Sequence, residues 1–147
     1  METPASISKH PVHAMLVVFP IALWTFSLFC DFVALTTSVP EPWSIVALYT
    51  MAGGLAGALA AAVPGFIDYF YYRGGGDAVL RTARIHMALN LAAVAIFAAS
   101  LWLRLENSET TELQVGLSAT GVLLIFVSSW LGGHMVHVHG VGVIGRD

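Results

Sequence analysis

Residues Met15 to Leu35 read MLVVFPIALWTFSLFCDFVAL, and Asp31 is the one charged side chain in that run. A hydrocarbon core about 30 Å thick needs roughly 20 apolar residues in a helix, so the stretch predicts a membrane span. Three more segments of the same kind follow, and the spans are placed at about residues 14–35, 43–67, 85–103 and 113–135. The first is read as a span and not as a secretory leader. It is too long, lacks a strongly basic start and has no small-residue cleavage site after it.

Outward from these spans the punctuation agrees. Ser38-Val39-Pro40-Glu41-Pro42 stands between the first two, where proline cannot continue a helix. Arg73-Gly74-Gly75-Gly76-Asp77 follows the second span, and the polar run Glu106 to Glu112 follows the third. Short turns make successive helices antiparallel neighbours. Strand alternation persists nowhere, which argues against a membrane β-barrel. Neither a low-complexity tract nor an internal repeat stands out. The expected fold is all-α: one domain over residues 1–147, a four-helix transmembrane bundle running up-down-up-down.

Composition fits. The 147 residues are 57% hydrophobic and 10% charged, where about 25% charged is usual, and mean hydropathy is +0.79. That excludes a disordered chain, a nucleic-acid binder with a basic face and almost any soluble monomer. A single cysteine, Cys30, excludes a disulfide framework and a cysteine-built zinc site, and it reads as a small buried hydrophobe. Lys9, Arg73, Arg81, Arg84 and Arg146 fall on the side shared by both termini, and only Arg104 falls on the other. The positive-inside rule therefore puts both termini in the cytoplasm, for a multi-pass protein of the bacterial inner membrane. Trp43 and Trp102 are expected in the outer aromatic belt, and Tyr69, Tyr71 and Tyr72 in the inner one. Asp31 and Arg104 are expected to pair.

In the second span Gly53, Gly57, Ala61 and Gly65 recur every four residues. Such stripes let helices pack closely in lipid; the competing reading is a slot for a flat ligand. Pro64 is expected to kink this helix.

Six histidines stand among few polar groups. His10 and His13 start the first span, His86 starts the third, and His134, His137 and His139 end the fourth. All six fall at one end of the bundle. Pro11 suits a first helical turn and His10 the cap before it. Asn90 lies one turn deeper than His86 on the same face, and Asp68 arrives at the same level from the second span. Ionisable groups at membrane depth are costly and usually carry function, and bundle cofactor sites use inward side chains of facing helices. Three readings compete. One is b-type haem held by two histidines of non-sequential helices, with His13 and His86 first and His134, His139 and His10 next, and Arg81 and Arg84 at the propionates. Another is zinc, iron, copper or nickel held by His10, His13, Asp68, His86, His134, His137 and His139. The last is a proton relay without a cofactor. Against all three stands a structural or accessory subunit whose histidines are wet interfacial anchors.

Four motifs resemble a known family, the prokaryotic four-helix membrane proteins called domain of unknown function (DUF) 2231. They are His10-Pro11-Val12-His13 leading into Val18-Phe19-Pro20-Ile21-Ala22-Leu23, then Pro64-Gly65-Phe66-Ile67-Asp68-Tyr69, then Arg84-Ile85-His86 with Asn90. The last is Trp130-Leu131-Gly132-Gly133 running to His139-Gly140-Val141-Gly142-Val143. The resemblance implies four transmembrane helices. Relatives joined to Rieske-type iron–sulfur domains imply a redox setting, which moves the choice toward haem. His10, His13, Asp68, His86 and His139 fall on the family pattern; His134 and His137 do not, an acidic or aromatic residue being expected there. The expectation is thus a small membrane cytochrome, with Asp68 orienting a ligand histidine by accepting its second N–H. Its expected partners are the bilayer, a quinone, a Rieske-type or other redox protein and a second copy of the chain; nucleic acid is excluded.

Overall fold

The computed structural model describes residues 3–71, 76–107 and 110–143. Tyr72, Arg73, Gly74, Gly75, Ser108, Glu109 and Arg146, used above to place turns, belts and charges, lie outside them. A two-residue ladder opens the chain, β1 (Ser6–Ile7) against β2 (His10–Pro11). Ser8 and Lys9 form its turn at φ 50° and 67°, the left-handed backbone that a two-residue hairpin loop needs. His10 is therefore a strand residue, and the cap position expected of it is taken by Pro11.

The rest is helix. α1 (Val12–Leu16) and α2 (Val18–Thr36) form one span broken at Val17. The break has a cause, since Pro20 has no N–H for the Leu16 carbonyl. α3 (Glu41–Tyr71) opens with Pro42 in its first turn, where a missing N–H costs nothing, and runs on through Pro64. α4 spans Asp77–Glu106 and α5 Glu112–His137. α5 starts on a capping box: the Thr111 hydroxyl accepts the Gln114 N–H and the Gln114 side chain accepts the Thr111 N–H. Each of these four helical spans is long and apolar enough to cross a membrane. Their outer faces carry large exposed hydrophobics such as Phe32, Leu123 and Trp130, the last 80% exposed. The all-α four-helix fold is as expected. The helices outrun the apolar segments because polar turns such as Asp77–Arg84 stay helical beyond them.

Packing is densest within two hairpins, α2 with α3 and α4 with α5. Gly53, Gly54 and Gly57 face Leu23, Trp24 and Phe19 with Pro20, and Gly65 faces His13. Gly53 and Gly57 thus pack against α2, while Ala61 and Gly65, farther along the stripe, border the cavity at that end of the bundle.

The two hairpins are copies of one another, a repeat the sequence did not reveal. Asp31 and Arg104 stand 73 residues apart, and the same offset relates Trp24 to Phe97, Ser27 to Ser100 and His13 to His86. Along α3 and α5 a second constant offset relates Gly54 to Gly121, Ala61 to Ser128 and Gly65 to Gly132. Equivalent residues have equivalent surroundings. Trp24 covers Gly54 as Phe97 covers Gly121. Across the hairpin boundary the equivalents meet each other. The Trp24 and Phe97 rings stack at 4.0 Å between centroids. The Arg104 guanidinium grips the Asp31 carboxylate through two bonds of 2.7 and 2.6 Å and adds Ser118 Oγ at 3.1 Å. Both copies run in the same direction, so an approximate two-fold axis lies along the bundle, as in parallel-repeat membrane proteins.

The bare backbones under the stacked rings are a firm requirement. A Cβ on Gly54 would sit 2.5 Å from the Trp24 ring, and one on Gly121 would sit 2.6 Å from Phe97. Gly54→Ala and Gly121→Ala should each cost roughly 1–3 kcal/mol, the usual range for overpacking. Gly116, with open space beside it, should tolerate alanine. Thermal unfolding in detergent measures all three; equal stability of the three variants would refute the packing.

Candidate functional site

Where the hairpins part, at the end carrying α1 and the close of α5, they leave a cavity of about 490 Å³. Its walls are mostly apolar, with Ile21, Ala58, Leu91, Val94 and Ile125 among them and Trp24 at the deep end. Thr3, Pro11 and Gly142 line it as well. The polar groups on its wall include His13, Asp68, His86 and Asn90.

His13 and His86 face each other across the axis, ring centres 6.2 Å apart and planes at 82°. Each ring is held by the other helix of its own hairpin. His13 Nδ1 lies 2.8 Å from the Ala61 carbonyl, and His86 Nδ1 lies 2.8 Å from the Ser128 carbonyl. A carbonyl only accepts, so each Nδ1 carries a proton, and the neutral form of such a ring has its lone pair at Nε2. Glycine completes both seats, Gly65 against His13 and Gly132 against His86.

The neighbours of the two rings differ. Among the described residues His13 Nε2 has no hydrogen-bond partner. His86 is enclosed by Asn90 and Ser128. The Asn90 amide nitrogen lies 3.1 Å from His86 Nε2, 2.9 Å from the His86 carbonyl and 2.8 Å from Ser128 Oγ. The Ser128 hydroxyl donates to the His86 carbonyl at 3.2 Å. Asn90 is legible in the sequence as a partner one turn on from His86. Ser128 is not, because nothing in an apolar run says which serine faces inward.

The remaining residues scatter. Asp68 accepts the Ala5 N–H at 3.1 Å, so it ties down the N-terminal segment, and the Ala61 and Ser128 carbonyls orient the histidines in the way expected of Asp68. His10 is exposed and its Nδ1 bonds the Ser8 carbonyl. Arg81 and Arg84 are exposed on the opening turns of α4 and do not line the cavity. His134 and His137 are exposed on the last turn of α5, and His139 follows the helix. Among the described residues, no three of His, Cys, Asp or Glu gather as metal ligands do. Tyr69 lines the cavity and Tyr71 is exposed at the same end. Trp102 is exposed at the opposite end, where Trp43 meets Phe29 edge-on.

The model of one family, described as predicted membrane protein (DUF2231), matches residues 9–145. No curated protein and no solved structure matches the chain.

The carbonyl partners fix a tautomer that can be read directly. Nitrogen-15 spectra of ring-labelled protein should show a proton on Nδ1 of both His13 and His86. An Nδ1 without a proton in either ring would contradict the geometry.

Proposed function

The chain belongs to the DUF2231 family of predicted membrane proteins, and within that family we propose that it is a small membrane cytochrome holding one b-type haem between His13 and His86. One observation carries the reading: two equivalent imidazoles meet across the axis at 6.2 Å between centroids. Two imidazoles on opposite sides of one metal ion, each at about 2.0–2.1 Å, have ring centres roughly 6.3 Å apart. His13 and His86, paired by that symmetry, would together hold a single iron.

The surroundings support the same group. The distance from His13 down to Trp24 along the helix is about 16 Å at 1.5 Å per residue, long enough for a macrocycle set edge-on. The apolar wall suits its faces. Both histidines already have Nδ1 on a carbonyl, the arrangement that orients metal-bound imidazoles. Ligation at His86 Nε2 requires Asn90 to give up that contact. The cost is small, because three acceptors surround its two amide protons and losing one leaves both satisfied. Arg81 and Arg84 are the cations nearest in sequence to His86, and among the described residues neither is in an ion pair. They serve the propionates at the cavity mouth. When bound, the haem supplies one-electron chemistry, and the chain supplies its ligands, an apolar site and a fixed depth in the bilayer.

The basic residues support an orientation with this end on the cytoplasmic side of a bacterial inner membrane. Lys9, Arg81 and Arg84 are exposed there, while Arg104, the exception at the far end, is neutralised by Asp31. A haem held there would exchange electrons with a quinone in the bilayer or with a Rieske-type or other redox protein at that face.

Absorption spectra decide the reading. Protein expressed with ample haem and purified should show a Soret band, and dithionite should sharpen its α band. His13→Ala and His86→Ala should each abolish the six-coordinate spectrum while leaving helicity by circular dichroism intact. Wild-type protein without a Soret band would overturn the proposal.

A further inference from the structure

The segment from Thr3 to Pro11 forms no helix, yet it is part of the cavity. Thr3 and Pro11 line it, and Thr3 is only 7% exposed. Ala5, Ser6 and Pro11 are half-buried, while Ile7, Ser8, Lys9 and His10 are exposed. The segment thus lies across the end of the cavity with one side in and one side out. It meets a second cover there. α5 ends at His137, and Gly140 turns the chain at φ 67°, a left-handed backbone that glycine adopts at no steric cost. The turn brings Val141 and Gly142 onto the cavity wall. A Cβ on Gly142 would lie 3.7 Å from Pro11 Cγ and 3.8 Å from Thr3 Cγ2, so the two covers touch.

Little in the segment itself holds it in place. Its ladder pairs two residues with two, and a two-stranded hairpin alone is marginal at best. Its turn holds Ser8 and Lys9 at φ 50° and 67°, a backbone region that is costly for most side chains. Ser6 Oγ donates to the Thr3 carbonyl at 2.8 Å, and the Ala5 carbonyl accepts the Val12 N–H at 2.9 Å. Both contacts stay within the segment and the first residue of α1. The bond that reaches another helix comes from Ala5, whose N–H donates to the Asp68 carboxyl of α3 at 3.1 Å. We propose that Thr3–Pro11 is a strap that closes this end of the cavity, that Asp68 is its latch, and that the cavity fills and empties when the latch lets go. Asp68 then controls entry to the histidines instead of orienting them, and it does so whatever group the cavity holds.

Ala61 supplies the reporter. It is 3% exposed and on the cavity wall, and the second hairpin has Ser128 at the equivalent place, so a side chain of that size fits the fold. Ala61→Cys protein, purified in detergent without haem, is treated with a small charged methanethiosulfonate, and labelling is followed by mass spectrometry of its peptides. Buried Cys30 is the internal control. With the strap latched, labelling should be slow. Asp68→Ala removes the acceptor, and Ala5→Pro removes the donor from outside every helix. Each should speed labelling of the introduced thiol about tenfold, the scale of one lost hydrogen bond. Asp68→Asn keeps an accepting oxygen and should stay slow, and Cys30 should stay unlabelled throughout. The proposal fails if either release variant labels no faster than its parent, if Asp68→Asn labels as fast as Asp68→Ala, or if Cys30 becomes reactive in step with the introduced thiol. The labelled protein carries no haem, so this outcome is independent of the absorption spectra.

Discussion

Two helical hairpins have to be held together in a medium that gives them little reason to associate. Lipid tails are as apolar as leucine, so burial alone does not drive helix against helix in a bilayer; close packing and polar pairing do. Here both are concentrated where equivalent residues of the two hairpins meet. Trp24 and Phe97 are almost fully buried and stack because Gly54 and Gly121 let each ring sit on bare backbone. Farther along, Asp31 and Arg104 bury opposite charges at 0% and 5% exposure. A buried pair gains little net stability over apolar packing, but either partner alone is a heavy liability. That asymmetry makes the pair a strong selector of how one hairpin sits on the other.

The site follows from the same rotation. Once Trp24 meets Phe97 and Asp31 meets Arg104, the residues eleven positions before Trp24 and Phe97, in α1 and α4, come together too, and these are His13 and His86. The repeat fixes their places and not their chemistry. Val17 stands where Asn90 stands in the second copy, Ala61 where Ser128 stands, and Asp68 where Met135 stands. Among the described residues one ring is therefore free at Nε2 and the other is hydrogen-bonded there.

Much of this was legible in the chain. Four apolar runs, proline and glycine turns and the gathering of histidines at one end follow from composition and spacing. So does the partnership of Asp31 with Arg104, since two opposite charges at one depth in lipid have few other choices. The repeat was hidden because its most informative positions are complementary instead of identical. Asp with Arg and Trp with Phe look unrelated until they touch, and only a few glycines, serines and histidines match in kind. The division of the six histidines was hidden for another reason. It depends on where α5 stops and how Gly140 turns the chain, and on a hairpin that takes His10 out of the first helix. Nothing in a histidine's spacing tells whether its nitrogens find a carbonyl, an amide or nothing.

The two-fold arrangement is tested most directly by exchanging the charges on its axis and measuring thermal unfolding. Asp31→Arg alone and Arg104→Asp alone each set like charges against one another in a dry interior, at a cost of at least about 3–5 kcal/mol. Equivalent positions are interchangeable, so the double exchange should recover most of the wild-type unfolding temperature, short of what Ser118 contributes to Arg104. A double variant as unstable as either single one would contradict the arrangement on which the site depends.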